Sequence, residues 1–210
     1  METLEQAANR KSISIEGAND GPFNMAGDAA MLQNAEQNAA ASARIYKWNG
    51  LWISLGKNQQ PSQVFSDPDA CSWVIRPTGG KAVWHNGDVT VSIAAPLSAI
   101  GCAPRETKKV YRTIISPIVN ALCDSGIDAC LGENLQSKLL EHPSHNCFLS
   151  RSPNDVLNRA TGRKIVGCAL RITRRAVLAQ CSIPPMENLD QTRLIEHLAV
   201  RLQNHSMFES

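Results

Sequence analysis

Lys164-Ile165-Val166-Gly167-Cys168-Ala169-Leu170-Arg171-Ile172, then Thr173-Arg174-Arg175, then Ala176-Val177-Leu178-Ala179-Gln180-Cys181-Ser182-Ile183, is the stretch on which the fold turns. Two apolar segments of strand length flank a short polar turn, which predicts adjacent strands rather than a helix. Asp155 to Leu157 reads as a third strand, turned by Asn158 to Gly162. Pro184-Pro185 stops the pattern. A final helix is expected near Leu189 to Gln203, with Leu194, Ile195, Leu198 and Leu202 facing inward.

Upstream, Ser12 to Ile15 alternates as a half-buried strand does, and Gly21-Pro22 reads as a break. Asn24 is the expected cap of a helix carrying Met25, Ala29 and Leu32 on one face, with a helical tail over Ala39 to Ala43. Arg44 to Leu55 predicts two strands with a hairpin turn at Asn49-Gly50. Gly56 to Pro68 is polar and loop-like. Trp73 to Arg76 predicts a short strand and Thr78-Gly79-Gly80 a turn. Strands near Ala82 to His85 and Val89 to Ala94 are expected to join at Asn86-Gly87. Pro104 opens a helix to about Asp124, striped by Val110, Ile114, Ile118 and Leu122, kinked at Pro117 and ended by Ser125-Gly126. Ile127 to Cys130 predicts a strand, and Glu133 to Ser144 a mobile polar loop. Together these predict an α+β domain, its sheet largely antiparallel or mixed with flanking helices. A single catalytic domain over 1–210 is expected, with an N-terminal strand region at 1–20 and a terminal helix at 186–210.

Composition narrows the function classes. Hydrophobic residues make up 43% and charged ones 19%, ordinary for a globular domain. A formal charge of +2 gives no general case for nucleic acid. No leader or membrane-length apolar run is read at the start, so a cytoplasmic protein with no membrane partner is expected. The seven cysteines are odd in number and none shows C-x-x-C spacing, which argues against a disulfide framework or a bound metal.

Three constellations can carry chemistry. In Arg76-Pro77-Thr78-Gly79-Gly80-Lys81-Ala82-Val83-Trp84-His85, paired glycines free backbone N–H groups between two cations, a cradle for phosphate or carboxylate. From spacing alone a plain turn is favoured. Lys164 opens an apolar strand between Gly162 and Gly167. Composition alone favours a solvated strand end, while the glycines favour close approach to the backbone. Cys147, in Ser144-His145-Asn146-Cys147-Phe148, is either a small apolar residue or a thiol that ionises beside a cation and attacks a carbonyl.

In order along the chain, four segments resemble motifs of the lipoate–protein ligase, octanoyltransferase and biotin–protein ligase superfamily. Asn24-Met25-Ala26-x-Asp28 resembles its first-helix signature, and Gly56-Lys57-Asn58-Gln59 its G-[RK]-x-Q segment. Arg76 to His85 is similar to R-x-x-G-G-x-A-V-x-H. Asn154-Asp155 through Gly162-Arg163-Lys164-Ile165-x-Gly167-x-Ala169 is similar to the lysine motif.

The resemblance implies the α/β fold shared with biotin ligases. It implies that Lys164 meets the acyl carbonyl, and that Arg76, Thr78, Gly79, Gly80, Lys81, Ala82, His85, Gly167 and Ala169 bind substrate. Cys147, eight residues before Asp155, falls where a ligase-like transferase branch carries its cysteine nucleophile. Only 25 residues follow Pro185, too few for the accessory domain of two-domain ligases. A transferase is therefore expected. It would take octanoyl from an acylated acyl carrier protein and pass it through Cys147 to a lysine of a lipoyl-domain or glycine-cleavage-H-type acceptor, with no cofactor. The acyl tail is expected near Trp73, Val83 and Trp84, and Arg163, Arg171, Arg174 and Arg175 are expected to face acidic partners.

The alternatives are an ATP- and Mg-dependent ligase using free octanoate or lipoate, and a non-catalytic protein that binds acylated carriers. Gln180-Cys181-Ser182-Ile183 stands where the family has H-G-[ST]-[IL], and Cys168 where it has Ser or Thr. Both departures imply altered substrate choice or reduced activity.

Overall fold

Residues 12–134 and 154–208 are described by this computed structural model. Their order is β1 (Ser12–Asn19), α1 (Gly21–Asn38), β2 (Ser42–Trp48), β3 (Trp52–Leu55), β4 (Trp73–Ile75), β5 (Val83–His85), β6 (Val89–Pro96) and α2 (Thr107–Asp124). Then come β7 (Ala129–Leu131), β8 (Val156–Asn158), β9 (Lys164–Ile172), β10 (Ala176–Ile183) and α3 (Gln191–Gln203). The large sheet runs β1-β2-β6-β10-β9-β8-β7, antiparallel except for parallel β1 and β2. A small sheet has β3 at its centre, parallel to β4 and antiparallel to β5. The expected α+β class with a mixed sheet is what forms.

Period-two alternation decides what each face of the large sheet meets. Ile45, Val91, Ile93, Val177, Ala179 and Ile183 point one way, into the main core with α2 and α3. The α2 stripe Val110, Ile114, Ile118 and Leu122 is wholly buried there, as are Leu194, Leu198 and Leu202 of α3. Burying each such side chain contributes about 1.5–3 kcal/mol. The intervening residues point the other way. Ala94, Ala176 and Leu178 pack under Met31, Leu32 and Ala35 of α1. Further along the same face, Tyr46 and Trp48 meet Met25 and, beyond them, Trp52 and Val74 of the small sheet.

Three details at α1 differ from the sequence reading. Its cap is Asp20, whose Oδ1 accepts from Phe23 N at 2.8 Å, and Pro22 sits in the first turn, where a missing N–H costs nothing. Gly21-Pro22 thus opens the helix rather than breaking the chain. Asn24 lies inside the helix, fully buried, with Nδ2 reaching the carbonyls of Asn19 and Lys47. The alanine tail is not helical: Ala39 turns left-handed at φ 54°, and Ser42 already begins β2.

The expected hairpins at Asn49-Gly50 and Asn86-Gly87 do not form. Both glycines are left-handed, at φ 82° and 75°, as such turns require. Yet each turn hands the chain from one sheet to the other, so β2 and β3 are not partners, nor are β5 and β6. Most of the loop expected at Glu133 to Ser144 lies outside the described residues.

Candidate active site

Between the two sheets lies a cavity of about 210 Å³. The large sheet supplies Tyr46 and Trp48 from β2, Thr90 from β6, Gly167 to Leu170 from β9, and Gln180 and Ser182 from β10. Met25 of α1 closes one end. Ser54 and His85 of the small sheet and Arg76, Gly79 and Gly80 of the connecting loop form the opposite wall, with Val83 beside them.

Most of the polar groups in the walls are bonded to one another. His85 Nε2 lies 2.8 Å from Ser54 Oγ, and its Nδ1 lies 2.9 Å from Asp88 Oδ2. The same carboxylate oxygen accepts from Ser182 Oγ at 2.7 Å and Thr90 Oγ1 at 3.2 Å, while Asp88 Oδ1 meets no donor among the described residues. Trp48 stacks on the imidazole, centroids 3.8 Å apart and planes 15° from parallel, and donates its Nε1 to Thr90 at 2.9 Å. Ser54, His85 and Asp88 are all buried.

A second network anchors the glycine loop. Asp28 is fully buried. Its Oδ1 accepts from Arg44 at 2.7 Å, and its Oδ2 from Gln180 at 2.6 Å, Ser92 at 2.7 Å and Tyr46 at 2.8 Å. Burial pushes the Asp28 carboxyl above its usual range, against the pull of these donors. Gln180 Oε1 accepts from Thr78 Oγ1 at 2.6 Å, so this carboxamide ties the loop to α1. Arg76 is turned inward: it donates to the carbonyls of Ser54 at 2.8 Å, Gly79 at 2.6 Å and Lys81 at 2.8 Å. Gly80 is left-handed at φ 91°, and a Cβ on Gly56 would collide with the Gly80 carbonyl.

Arg76, Gly79, Gly80, His85, Gly167 and Ala169 line the cavity; Thr78, Lys81 and Ala82 do not, although Thr78 fixes the loop through Gln180. Trp84 faces away and is 38% exposed, because alternation along β5 sends Val83 and His85 inward. Trp73 packs instead in a small cluster with Ile53 and Leu55. The aromatic walls are Tyr46 and Trp48, which sequence reasoning missed along with Met25, Ser54 and Gln180's tether. The alternation of Arg44, Tyr46 and Trp48 along β2 was the available signal.

Lys164 is not a solvated strand end: its side chain is 5% exposed, and its Nζ pairs with Asp155 Oδ1 at 2.8 Å. It is not among the residues lining the cavity, whose β9 wall begins at Gly167. Cys147 and His145 lie outside the described residues. Cys168, in the wall, has its Sγ 2.8 Å from that of Cys181, directly across the β9–β10 ladder. Burial pushes the Cys181 thiol well above its usual range. Arg163, Arg171, Arg174 and Arg175 are exposed. Among the described residues no helix is long and apolar enough to cross a membrane, and no group of three or more His, Cys, Asp or Glu is placed to hold a metal ion.

Comparison with known proteins completes the picture. The octanoyltransferase LipM of Kyrpidia tusciae is 32% identical over 176 residues, covering 80% of this chain and 63% of that protein. The chain therefore spans just under two thirds of that relative's length. A bi-partite lipoate protein ligase from Thermoplasma acidophilum, solved in a study with its E2 lipoyl domain, has a TM-score of 0.65 over 92% of this chain and 84% of that one, at 17% identity. Lipoate-protein ligase A bound with ATP has a TM-score of 0.65 over 92% and 82%, at 20% identity. Both likenesses establish a shared fold. With the family model for the lipoyl protein ligase A/B catalytic domain matching residues 20–202, the chain belongs to that family.

Proposed function

We propose that this chain is an octanoyl or lipoyl transferase. It moves a medium-chain acyl group from an acyl-carrier-protein thioester, through a thioester on Cys147, to a lysine of a lipoyl-domain or glycine-cleavage-H-type acceptor. The observation that carries the reading is the cavity. Its walls are mainly apolar, and the polar side chains around it are already bonded, Thr78 to Gln180, Gln180 to Asp28, and Arg76 to the backbone carbonyls of Ser54, Gly79 and Lys81, which suits an acyl tail better than a polar ligand. The similarity to the octanoyltransferase LipM of Kyrpidia tusciae supports the same reaction class.

In the first step Cys147 gives up its thiol proton, its Sγ bonds to the acyl carbonyl carbon, the carbon–sulfur bond to the carrier breaks, and the carrier's thiolate takes up that proton. In the second, a neutral lysine amine attacks the same carbon, the bond to Cys147 Sγ breaks, and the proton the amine loses passes to the departing Cys147 thiolate. Lys164, held by Asp155 at 2.8 Å, stabilises the negative charge that develops on the carbonyl oxygen. This route needs no cofactor.

Intact mass spectrometry after incubation with octanoylated acyl carrier protein tests it. Wild type is expected to gain one octanoyl group and deliver it to a lipoyl domain. Delivery that persists in Cys147→Ala would overturn the transferase. Pyrophosphate release requiring ATP and free octanoate would establish a ligase instead.

A further inference from the structure

We infer that Ser54, His85 and Asp88 form a second acyl-transfer centre in the wall of the cavity, one that hydrolyses acyl thioesters at Ser54 independently of Cys147. The three groups stand in the order a serine nucleophile requires. Ser54 Oγ is 2.8 Å from His85 Nε2, and His85 Nδ1 is 2.9 Å from Asp88 Oδ2. Such centres are recognised by geometry and roles rather than by position in the chain.

Each group is held by its surroundings. Ser54 and Val83 are directly paired, as are Trp52 and His85, so Ser54 and His85 are diagonal neighbours on one face of the small sheet. Stacking on Trp48 sets the imidazole plane. The hydroxyls of Ser182 and Thr90 donate to the same Asp88 oxygen that faces His85. They hold a carboxylate where it accepts the Nδ1 proton, leaving Nε2 as the base towards Ser54. Ser54 and His85 both line the cavity. Arg76 Nη1 lies 3.3 Å from Ser54 Oγ and sets a cation beside any oxyanion formed there.

The chemistry balances with water as the only co-reactant. Ser54 Oγ bonds to the carbonyl carbon of the thioester and its proton passes to His85 Nε2. The carbon–sulfur bond then breaks, and the leaving thiolate takes that proton. Water adds to the acyl-serine, giving a proton to His85. The bond from carbon to Oγ breaks, and Oγ recovers a proton. The products are a thiol and a free medium-chain carboxylic acid. The centre rests on the proposed acyl cavity but not on Cys147, so the two readings fail separately.

The experiment uses the full chain carrying Cys147→Ala, with octanoyl-coenzyme A as probe and thiol release as the measurement. Release is expected to persist in this variant and to fall on the order of 100-fold when Ser54→Ala or His85→Gln is added. Ser54→Cys is expected to restore a covalent adduct that neutral hydroxylamine removes, whereas any adduct on Ser54 itself resists it. Far-UV circular dichroism confirms that each variant folds. Thiol release absent from Cys147→Ala, release unchanged by Ser54→Ala, or an adduct mapped to Cys168 would each overturn the proposal.

Discussion

Arg44 shows how one buried cation organises the floor beneath the cavity. It donates to both oxygens of Glu16, at 2.8 and 2.7 Å, as well as to Asp28 at 2.7 Å, and its guanidinium lies 4.8 Å from the centre of the Tyr46 ring. The Arg44 hydrogen bond holds the Glu16 carboxyl below its ordinary range. A carboxyl lowered in the fold contributes stability that is present above the unfolded value of about 4.5 and lost as pH falls through the folded one. Glu16→Gln is therefore expected to cost roughly 1–2 kcal/mol at neutral pH and to flatten the acid limb of the stability curve. Urea titrations between about pH 3 and 7 check this; parallel curves for the two proteins would contradict it.

At this scale, the sequence and its family resemblance pointed to Arg76, Gly79, Gly80 and His85. Their spacing is local, so the pattern survives in a linear string. Ser54 and Gln180 were not legible as wall residues, because their partners lie 31 and 102 positions away, on strands whose pairing no short window reveals.

Among the elements, the strands and helices with the longest apolar patterns were the most legible. β9 and β10 have the bounds their sequence predicted, and the four-residue stripe of α2 is buried throughout. The two Asn-Gly turns were legible as turns but not as crossings between sheets. Their φ values are dictated locally, whereas the partner each strand meets is dictated by the apolar face it must cover. The glycine loop depends on a close approach of the same non-local kind, since Gly56 follows β3 and faces Gly79-Gly80. Gly56→Ala is expected to cost about 1–3 kcal/mol and to weaken acyl binding, because backbone rather than a flexible side chain blocks the new methyl. Calorimetry with a medium-chain fatty acid would measure both, and wild-type affinity in the variant would remove the loop from the site.

The whole molecule is built on two sheets of very unequal size, one of seven strands and one of three. The large one is sandwiched between α1 on one face and α2 with α3 on the other. The small one has three strands of three or four residues, joined to its neighbour through the turns at Asn49-Gly50 and Asn86-Gly87. Sheets so short are marginal alone. Amide exchange over residues 52–85 is expected to be faster than in β6 and β10 and to slow when the cavity is filled; uniform protection would refute this. The feature with the widest reach is thus the seam between the sheets. A chain buried along a seam can be swapped only as often as the seam parts. For an acyl tail held in the proposed cavity, exchange of one tail for the next is expected to follow the breathing of three short strands rather than melting of the whole fold.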